Sequence, residues 1–365
     1  MLYYLPLEPY RERYTYYMSC KDGWTESHFK ELGIQFERID GERTSDIITK
    51  GVVLDAFGRS IYAMSQIKRV VSLLRDGTIT DKDVIYTEDF WHPGIESLFY
   101  IRDIQGAEFK IGCFLHAQSV DEHDFTHDMK YWIRDIERGL SKGYDYVFTT
   151  SMILTGLCEA EGFKHINCVG LPYNSNRLIE QLVAEGFKNP PKEKYVIFSS
   201  RFDREKNPMF FMDLVEQCPD IKFKLVNPRT GRPITNDVFI QKRLDKLLNT
   251  VSNLELIDTS NKLAYYTALA GAEVQFNCAL QDWVSWTLLE ALTFDCKVLY
   301  PQWRDFPYEL ADYPECIYYN KDVIDAKDKL YALMAKPYNP EIRNKVVARH
   351  DASWKEYLKT MGVIT

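Results

Sequence analysis

Short apolar runs alternate with longer amphipathic stretches along the whole chain, a pattern that predicts a parallel α/β architecture. Residues 2–5, 34–39, 83–86, 109–115 and 144–150 read as strands, and 23–33, 61–74, 95–104 and 130–140 carry helical spacing between them, with Thr25 as the expected N-cap of the first helix. Pro6 and Pro9 stop the first strand, and a polar, tyrosine-rich loop is expected over 10–22. A helix to about 187 and the paired Pro190 and Pro191 interrupt the pattern. It then restarts with strands at 195–199, 221–226, 254–257, 272–276 and 297–300 and helices at 208–218, 241–248 and 261–270. Leu288, Leu289 and Leu292 mark a further helix, and 227–233 reads as a turn-rich basic loop.

At 365 residues the chain exceeds the roughly 250–300 that one hydrophobic core serves, so two domains are expected. The boundaries read as a Rossmann-like, doubly wound domain at 1–172, a hinge at 173–192, a second such domain at 193–345 and a terminal amphipathic helix over 346–365. A net charge of −8 argues against wholesale capture of nucleic acid or of an anionic membrane. The eight cysteines form no CxxC pair and read as reduced thiols of a cytoplasmic protein, and no stretch has the length of a membrane span or the form of a secretion signal.

Candidate chemistry gathers behind the strand ends, where parallel sheets bind ligands. After the strand at 195–199 come Ser200, Arg201 and Lys206, two cations placed to clamp a diphosphate. After 272–276 comes Asp282, then Val284, Ser285, Trp286 and Thr287 at the start of a helix, then Glu290 inside it. Free amides at such a helix start suit phosphate oxygens, and the two carboxylates suit hydroxyls. The Trp286 ring itself reads as core. In the first half, Glu88 and Asp89 follow one strand and His116 another, while Tyr10, Arg11, Arg13 and Tyr14 follow the first and are the candidate acceptor contacts. His116, Asp121, His123, Asp124 and His127 look metal-like, with His123 and His127 on one face if helical. They lack an HExxH or a third ligand at fixed spacing, so no metal is expected.

Ser199 to Pro208, followed some 80 residues later by Asp282 to Pro301, resembles the second domain of GT-B glycosyltransferases, particularly the retaining family-4 type. Phe114, Leu115 and His116 and the strand from Tyr144 to Ser151 resemble parts of its first domain. The resemblance implies two Rossmann-like domains facing across a cleft, a terminal helix crossing back to the first, and a nucleoside-diphosphate sugar, here a UDP-sugar, as donor. It implies Arg201 and Lys206 on the diphosphate, Asp282 and the amides near Val284 and Ser285 on the sugar, Glu290 on the ribose, and His116 at the reacting centre. Transfer would proceed with retention and without an obligatory cofactor, and Glu88 or Asp89 would be the acceptor base. The chain departs from the pattern at Asp282, usually Glu, at Trp283, usually small, and in having no glycine-rich loop after its first strand.

The resemblance implies a hydroxyl acceptor. No basic, apolar docking helix is legible, which favours a soluble acceptor without stable membrane association, and the aromatic and basic first loop inclines to hydroxymethylated pyrimidine in phage DNA, in the host cytoplasm. Surface-polysaccharide or small-molecule glycoside synthesis, a sugar phosphorylase, and an inactive sugar-nucleotide-binding module are the competing readings. The oligomeric state is open.

Overall fold

The apolar runs become parallel strands in a computed structural model that describes residues 1–44, 55–228 and 233–365. Most of the basic loop expected over 227–233 lies outside the described residues. Contacts divide the chain into one unit of Met1–Leu178 with His350–Thr365 and another of Ile179–Arg349.

In the first unit six strands, β1 (Leu2–Leu5), β2 (Phe36–Arg38), β3 (Val84–Thr87), β4 (Lys110–Phe114), β5 (Tyr146–Thr149) and β6 (Ile166–Cys168), pair in the order β2-β1-β3-β4-β5-β6. Every pairing is parallel. Helices cover both faces of such a sheet, so β1 and β3 are buried at every position and read as continuous apolar runs. The edge strand β6 and the preceding helix Met152–Ala160 are additions to the expected pattern; β6 is only three half-buried residues, too short to show periodicity.

Three expectations are corrected here. Gly23, not Thr25, caps the helix Trp24–Glu31, because the Thr25 hydroxyl is turned inward to Glu88 at 2.8 Å. The segment 10–22 is partly core: Tyr10, Tyr17, Met18 and Ser19 are buried, and Tyr16–Ser19 forms a helical turn. The chain end is two helices, Pro340–Asp351 and Ser353–Thr360, where one was expected. Its last residues lock onto the segment after β6: the Leu171 amide donates to His350 Nδ1 at 3.0 Å, and the Ser353 and Tyr357 hydroxyls donate to the Leu171 and Gly170 carbonyls at 2.7 and 2.9 Å. Gly170 sits at φ +94° with His350 Nδ1 3.0 Å from where a Cβ would be, so a side chain there would be strained by the backbone conformation and would crowd His350.

In the second unit β7 (Glu193–Phe198), β8 (Lys222–Asn227), β9 (Leu254–Asp258), β10 (Ala272–Phe276), β11 (Lys297–Pro301) and β12 (Ile317–Tyr318) pair in the order β12-β11-β10-β7-β8-β9, again all parallel. Strand order reverses between β7 and β10 here, and between β1 and β3 in the first unit. Those reversals open crevices at the carboxyl ends of the strands. The loops that border them are 199–207 and 277–285 in the second unit, and 6–15 and 88–95 in the first.

Candidate functional site

The two loops at the second unit's reversal are tied together at backbone level, since the Leu280 amide donates to the Glu205 carbonyl at 2.8 Å. That contact fixes Lys206 beside Asp282. The Lys206 ammonium pairs with Asp282 Oδ1 and donates to Gln281 Oε1 at 3.2 Å. Burial pushes the Asp282 carboxyl up, but the charge and hydrogen bond of Lys206, with help from Ser285, more than reverse this and hold it below the usual carboxylate range. Asp282 Oδ2 accepts from Ser285 Oγ at 3.0 Å, Ser285 Oγ lies 2.8 Å from Thr287 Oγ1, and Thr287 Oγ1 lies 3.2 Å from the Tyr300 hydroxyl. This chain of contacts anchors the start of the helix Trp286–Thr293 to the sheet. Ser285 occupies the N-cap without capping by its side chain, because its hydroxyl is committed to Asp282.

Arg201 is 44% exposed at its side chain and pairs with Glu205 at 2.7 Å, so it can swing towards a ligand by giving up a contact that water screens. Ser200 and Val284 are buried, whereas Trp286 and Thr287 are half-buried, so the Trp286 ring is not the core residue expected. Glu290 is buried one turn into the helix, and both of its oxygens are engaged: Oε2 accepts from the Tyr265 hydroxyl at 2.8 Å and Oε1 from the Tyr266 hydroxyl at 2.6 Å. Burial raises its carboxyl and the two hydroxyls pull it back. Beside the loop, the Arg304 guanidinium lies 4.0 Å from the centre of the Trp283 ring and donates to the Gln281 carbonyl, a stacked cation that holds the departing Trp283 in place.

In the first unit, Glu88 and Asp89 separate into different roles. Glu88 is wholly buried and accepts from Tyr4, from Ser19 Oγ at 2.5 Å, from Thr25 Oγ1 at 2.8 Å and from the Leu7 amide at 3.0 Å. Four donors fill the acceptor capacity of one carboxylate, which leaves none for a substrate proton. Asp89 is 17% exposed at its side chain and is held by Arg59 at 3.2 Å and by the Trp91 amide at 3.2 Å. Burial raises its carboxyl, and Arg59 opposes the shift. Arg59 also donates to Glu8 Oε2 at 3.3 Å, and Arg13 reaches the same oxygen at 3.3 Å, so an alternating row of Arg13, Glu8, Arg59 and Asp89 crosses the reversal between β1 and β3.

His116 follows β4 and lies 3.2 Å by its Nδ1 from the hydroxyl of Tyr14. Burial, with Arg59 nearby, pushes its imidazole down to about 3, so it is neutral at physiological pH. Of the acceptor candidates, Tyr14 is 54% exposed and Arg11 is exposed, but Tyr10 is buried beneath Arg13 and offers no ring to a ligand. Arg13 spends Nη1 on Glu8, while its Nε and Nη2 are buried and have no hydrogen-bond partner among the described residues. The metal-like residues serve as turn formers: Asp121 accepts from the His123 amide at 2.9 Å, Asp124 from the Thr126 amide at 2.9 Å, and His127 Nδ1 lies 2.9 Å from the Ser119 carbonyl. His127 opens a short 3₁₀ turn, so it shares no helical face with His123, and no group of three or more His, Cys, Asp or Glu among the described residues could hold a metal.

Sequence reasoning passed over Glu8, Arg59, Tyr265, Tyr266 and Arg304. Glu8 left a signal, as an acid held between Pro6 and Pro9 directly after a buried strand. Arg59 and the tyrosines sit inside helical patterns, where a charged or amphipathic residue is indistinguishable from a solvated one.

The fold is that of GT-B glycosyltransferases. No protein-family model and no curated protein matches the chain. Solved structures do. An α,α-trehalose-phosphate synthase (UDP-forming) from Burkholderia vietnamiensis superposes with a TM-score of 0.64 over 100% of both chains at 12% identity. The sucrose-phosphate synthase of Thermosynechococcus elongatus gives 0.63 over 99% of this chain and 97% of that one at 13% identity. A UDP-forming trehalose-phosphate synthase from Burkholderia xenovorans, solved with glucose-6-phosphate, gives 0.59 over 82% and 79% at 13% identity.

Proposed function

We propose that this protein is a glycosyltransferase that moves a sugar from a nucleoside-diphosphate sugar, a UDP-sugar, to a hydroxyl acceptor with retention of configuration. One observation carries the reading: Lys206 and Asp282 meet at the strand-order reversal of the second unit, next to the start of the helix Trp286–Thr293. A diphosphate needs fixed positive charge where its own negative charge grows as the sugar leaves. Lys206, a swung Arg201 and the helix start supply it, and such stabilisation is the largest lever an enzyme of this kind has. Asp282, ionised under the pull of Lys206, accepts hydrogen bonds from sugar hydroxyls, and Glu290 accepts them from the ribose. His116, neutral, serves the reacting centre as an uncharged hydrogen-bond partner. Two of the neighbours are named as UDP-forming, which supports the choice of nucleotide.

The acceptor belongs to the first unit, with Asp89 as the base. The row from Arg13 to Asp89 suits a hydroxyl compound that also carries an anion, because the Nε and Nη2 edge of Arg13 has the two parallel N–H bonds that grip two oxygens at once. Glucose-6-phosphate, present in the trehalose-phosphate synthase complex, is a hydroxyl compound of that description. Hydroxymethylated DNA retains Arg11 and Tyr14 for its support and loses Tyr10. Thermal-shift screening with nucleoside diphosphates, followed by mass spectrometry of sugar phosphates and hydroxymethylated DNA incubated with UDP-sugars, tests the whole reading. Absence both of UDP binding and of turnover with any nucleotide sugar would overturn it in favour of a silent scaffold.

A further inference from the structure

Glu290 is set by two adjacent tyrosines, and this arrangement extends the donor site beyond the residues that touch the nucleotide. The inference rests on the donor reading above. Tyr265 and Tyr266 lie side by side on the helix Lys262–Gly271, with ring centres 4.9 Å apart and planes at 79°. Consecutive residues on a helix point about 100° apart, so both hydroxyls reach one carboxylate only because Glu290 lies between their directions. Each hydroxyl takes one oxygen, at 2.8 and 2.6 Å. An ionised carboxylate accepts about four hydrogen bonds, so each oxygen keeps one lone pair for a ligand, and that lone pair's direction is fixed by the bond the tyrosine makes to the other. Tyr266 is 1% exposed, which leaves its hydroxyl no water to turn to, whereas Tyr265 is half-buried at the edge of the site.

We propose that Tyr265 and Tyr266 are positioning residues that aim the two oxygens of Glu290 at a vicinal pair of hydroxyls, and that the protein thereby selects ribonucleotide over 2′-deoxyribonucleotide donors. A cis-diol presents two donors about one carboxylate width apart. A 2′-deoxyribose presents one, so it leaves an aimed oxygen of a buried carboxylate unmatched, and an unmatched buried acceptor is penalised more heavily than a matched one is rewarded. With either tyrosine hydroxyl gone, the carboxylate turns to satisfy itself and the difference between the two nucleotides shrinks. A purely structural role for the tyrosines would weaken both nucleotides equally.

The test is calorimetric binding of UDP and 2′-deoxy-UDP to the full chain, for wild type, Tyr265→Phe and Tyr266→Phe, each confirmed folded by circular dichroism. The expected wild-type preference for UDP is about tenfold or more, falling to threefold or less in either variant, with UDP affinity lost and 2′-deoxy-UDP affinity nearly unchanged. Retention of the full preference in both folded variants, or no preference in the wild type while UDP binds, overturns the inference and leaves the donor reading standing. Absence of UDP binding in the wild type refutes both. Should Tyr266→Phe fail to fold, Tyr265→Phe, at the half-buried edge, decides the matter alone.

Discussion

Replacing Lys206 by methionine is the sharpest single test of the donor loop, since it removes a charge while keeping an unbranched apolar stem. The side chains of Lys206 and Asp282 are 11% and 17% exposed, so the pair is closer to buried than to surface. Removing one partner of a buried pair costs about 3–5 kcal/mol, because the other charge stays desolvated, and the residual exposure places this pair near about 3 kcal/mol. Asp282 would lose its cation and retain neutral donors, among them Ser285 at 3.0 Å. For a unit of this size that corresponds to a fall of roughly 6–12 °C in Tm. K206M/D282N removes both charges and should recover most of the loss, giving a coupling of at least about 2 kcal/mol in the double-mutant cycle. The pH dependence follows in sign. Asp282 has a depressed carboxyl, so the stability it contributes is present above its unfolded value of about 3.9 and is lost as pH falls through the lower folded value. The gap between wild type and K206M should therefore close below about pH 4. In transfer assays K206M should lose at least about 100-fold in rate, the usual loss when one preorganised stabiliser of a leaving group goes. Additive melting temperatures across the cycle, together with unchanged UDP binding by K206M, would refute the reasoning.

Glu88 and Asp89 should part company under amide substitution. Glu88→Gln introduces a donor among four donors and should cost about 2–4 kcal/mol in urea unfolding, whereas Asp89→Asn should lower kcat about 100-fold or more with a melting temperature near wild type. His28, His92 and His116 are all held below the ordinary imidazole range by burial. The unfolded chain binds protons that these sites refuse, so their linkage makes stability decline as pH drops from about 6.5 towards 4, measurable as a falling Tm that His116→Gln flattens in part. The burial-raised carboxyls Glu88, Asp89, Glu137 and Glu290 pull the other way in the same range, and the histidine substitution isolates one sign from the other. Excess chelator should leave transfer intact; loss restored by an added divalent ion would count against a donor site whose cations are all protein side chains.

Most strands and helices were legible because a parallel sheet buries its strands on both faces and leaves uninterrupted apolar runs, as at Tyr195 to Phe198 and Val298 to Tyr300. The pairing of Lys206 with Asp282 was anticipated only as two halves of one site. Nothing in a linear reading shows that the Glu205 carbonyl would bind the Leu280 amide and close the two loops on each other. Three differences between expectation and structure share one cause, which is that polarity does not imply exposure. Tyr10 and Tyr17 carry hydroxyls yet lie in the core, Thr25 has the side chain of a cap and instead serves a buried carboxylate, and Glu88 has the side chain of a base although its lone pairs are filled by the interior. A polar side chain goes inside whenever a partner awaits it there, and partners distant in sequence leave no local trace.

The two sheets reverse strand order at different points, and that difference sets how far apart in sequence the bordering loops lie. In the second unit the reversal lies between its first and fourth strands, so its two bordering loops are about 75 residues apart in sequence, as with Lys206 and Asp282. In the first unit it lies between its first and third strands, and the bordering loops carry Glu8 and Asp89, with Arg59 from the intervening helix Ala56–Arg75 as the bridge. A single guanidinium that serves two carboxylates from different loops makes their geometry interdependent. Arg59→Met should accordingly cost more than the loss of either contact alone, because Glu8 is fully buried and among the described residues would keep only the Arg13 cation at 3.3 Å. Arg59→Lys supplies charge without the fork that spans both carboxylates, so it should restore stability before it restores kcat. Equal recovery of both by lysine would mean that charge alone suffices and that Asp89 needs no aiming.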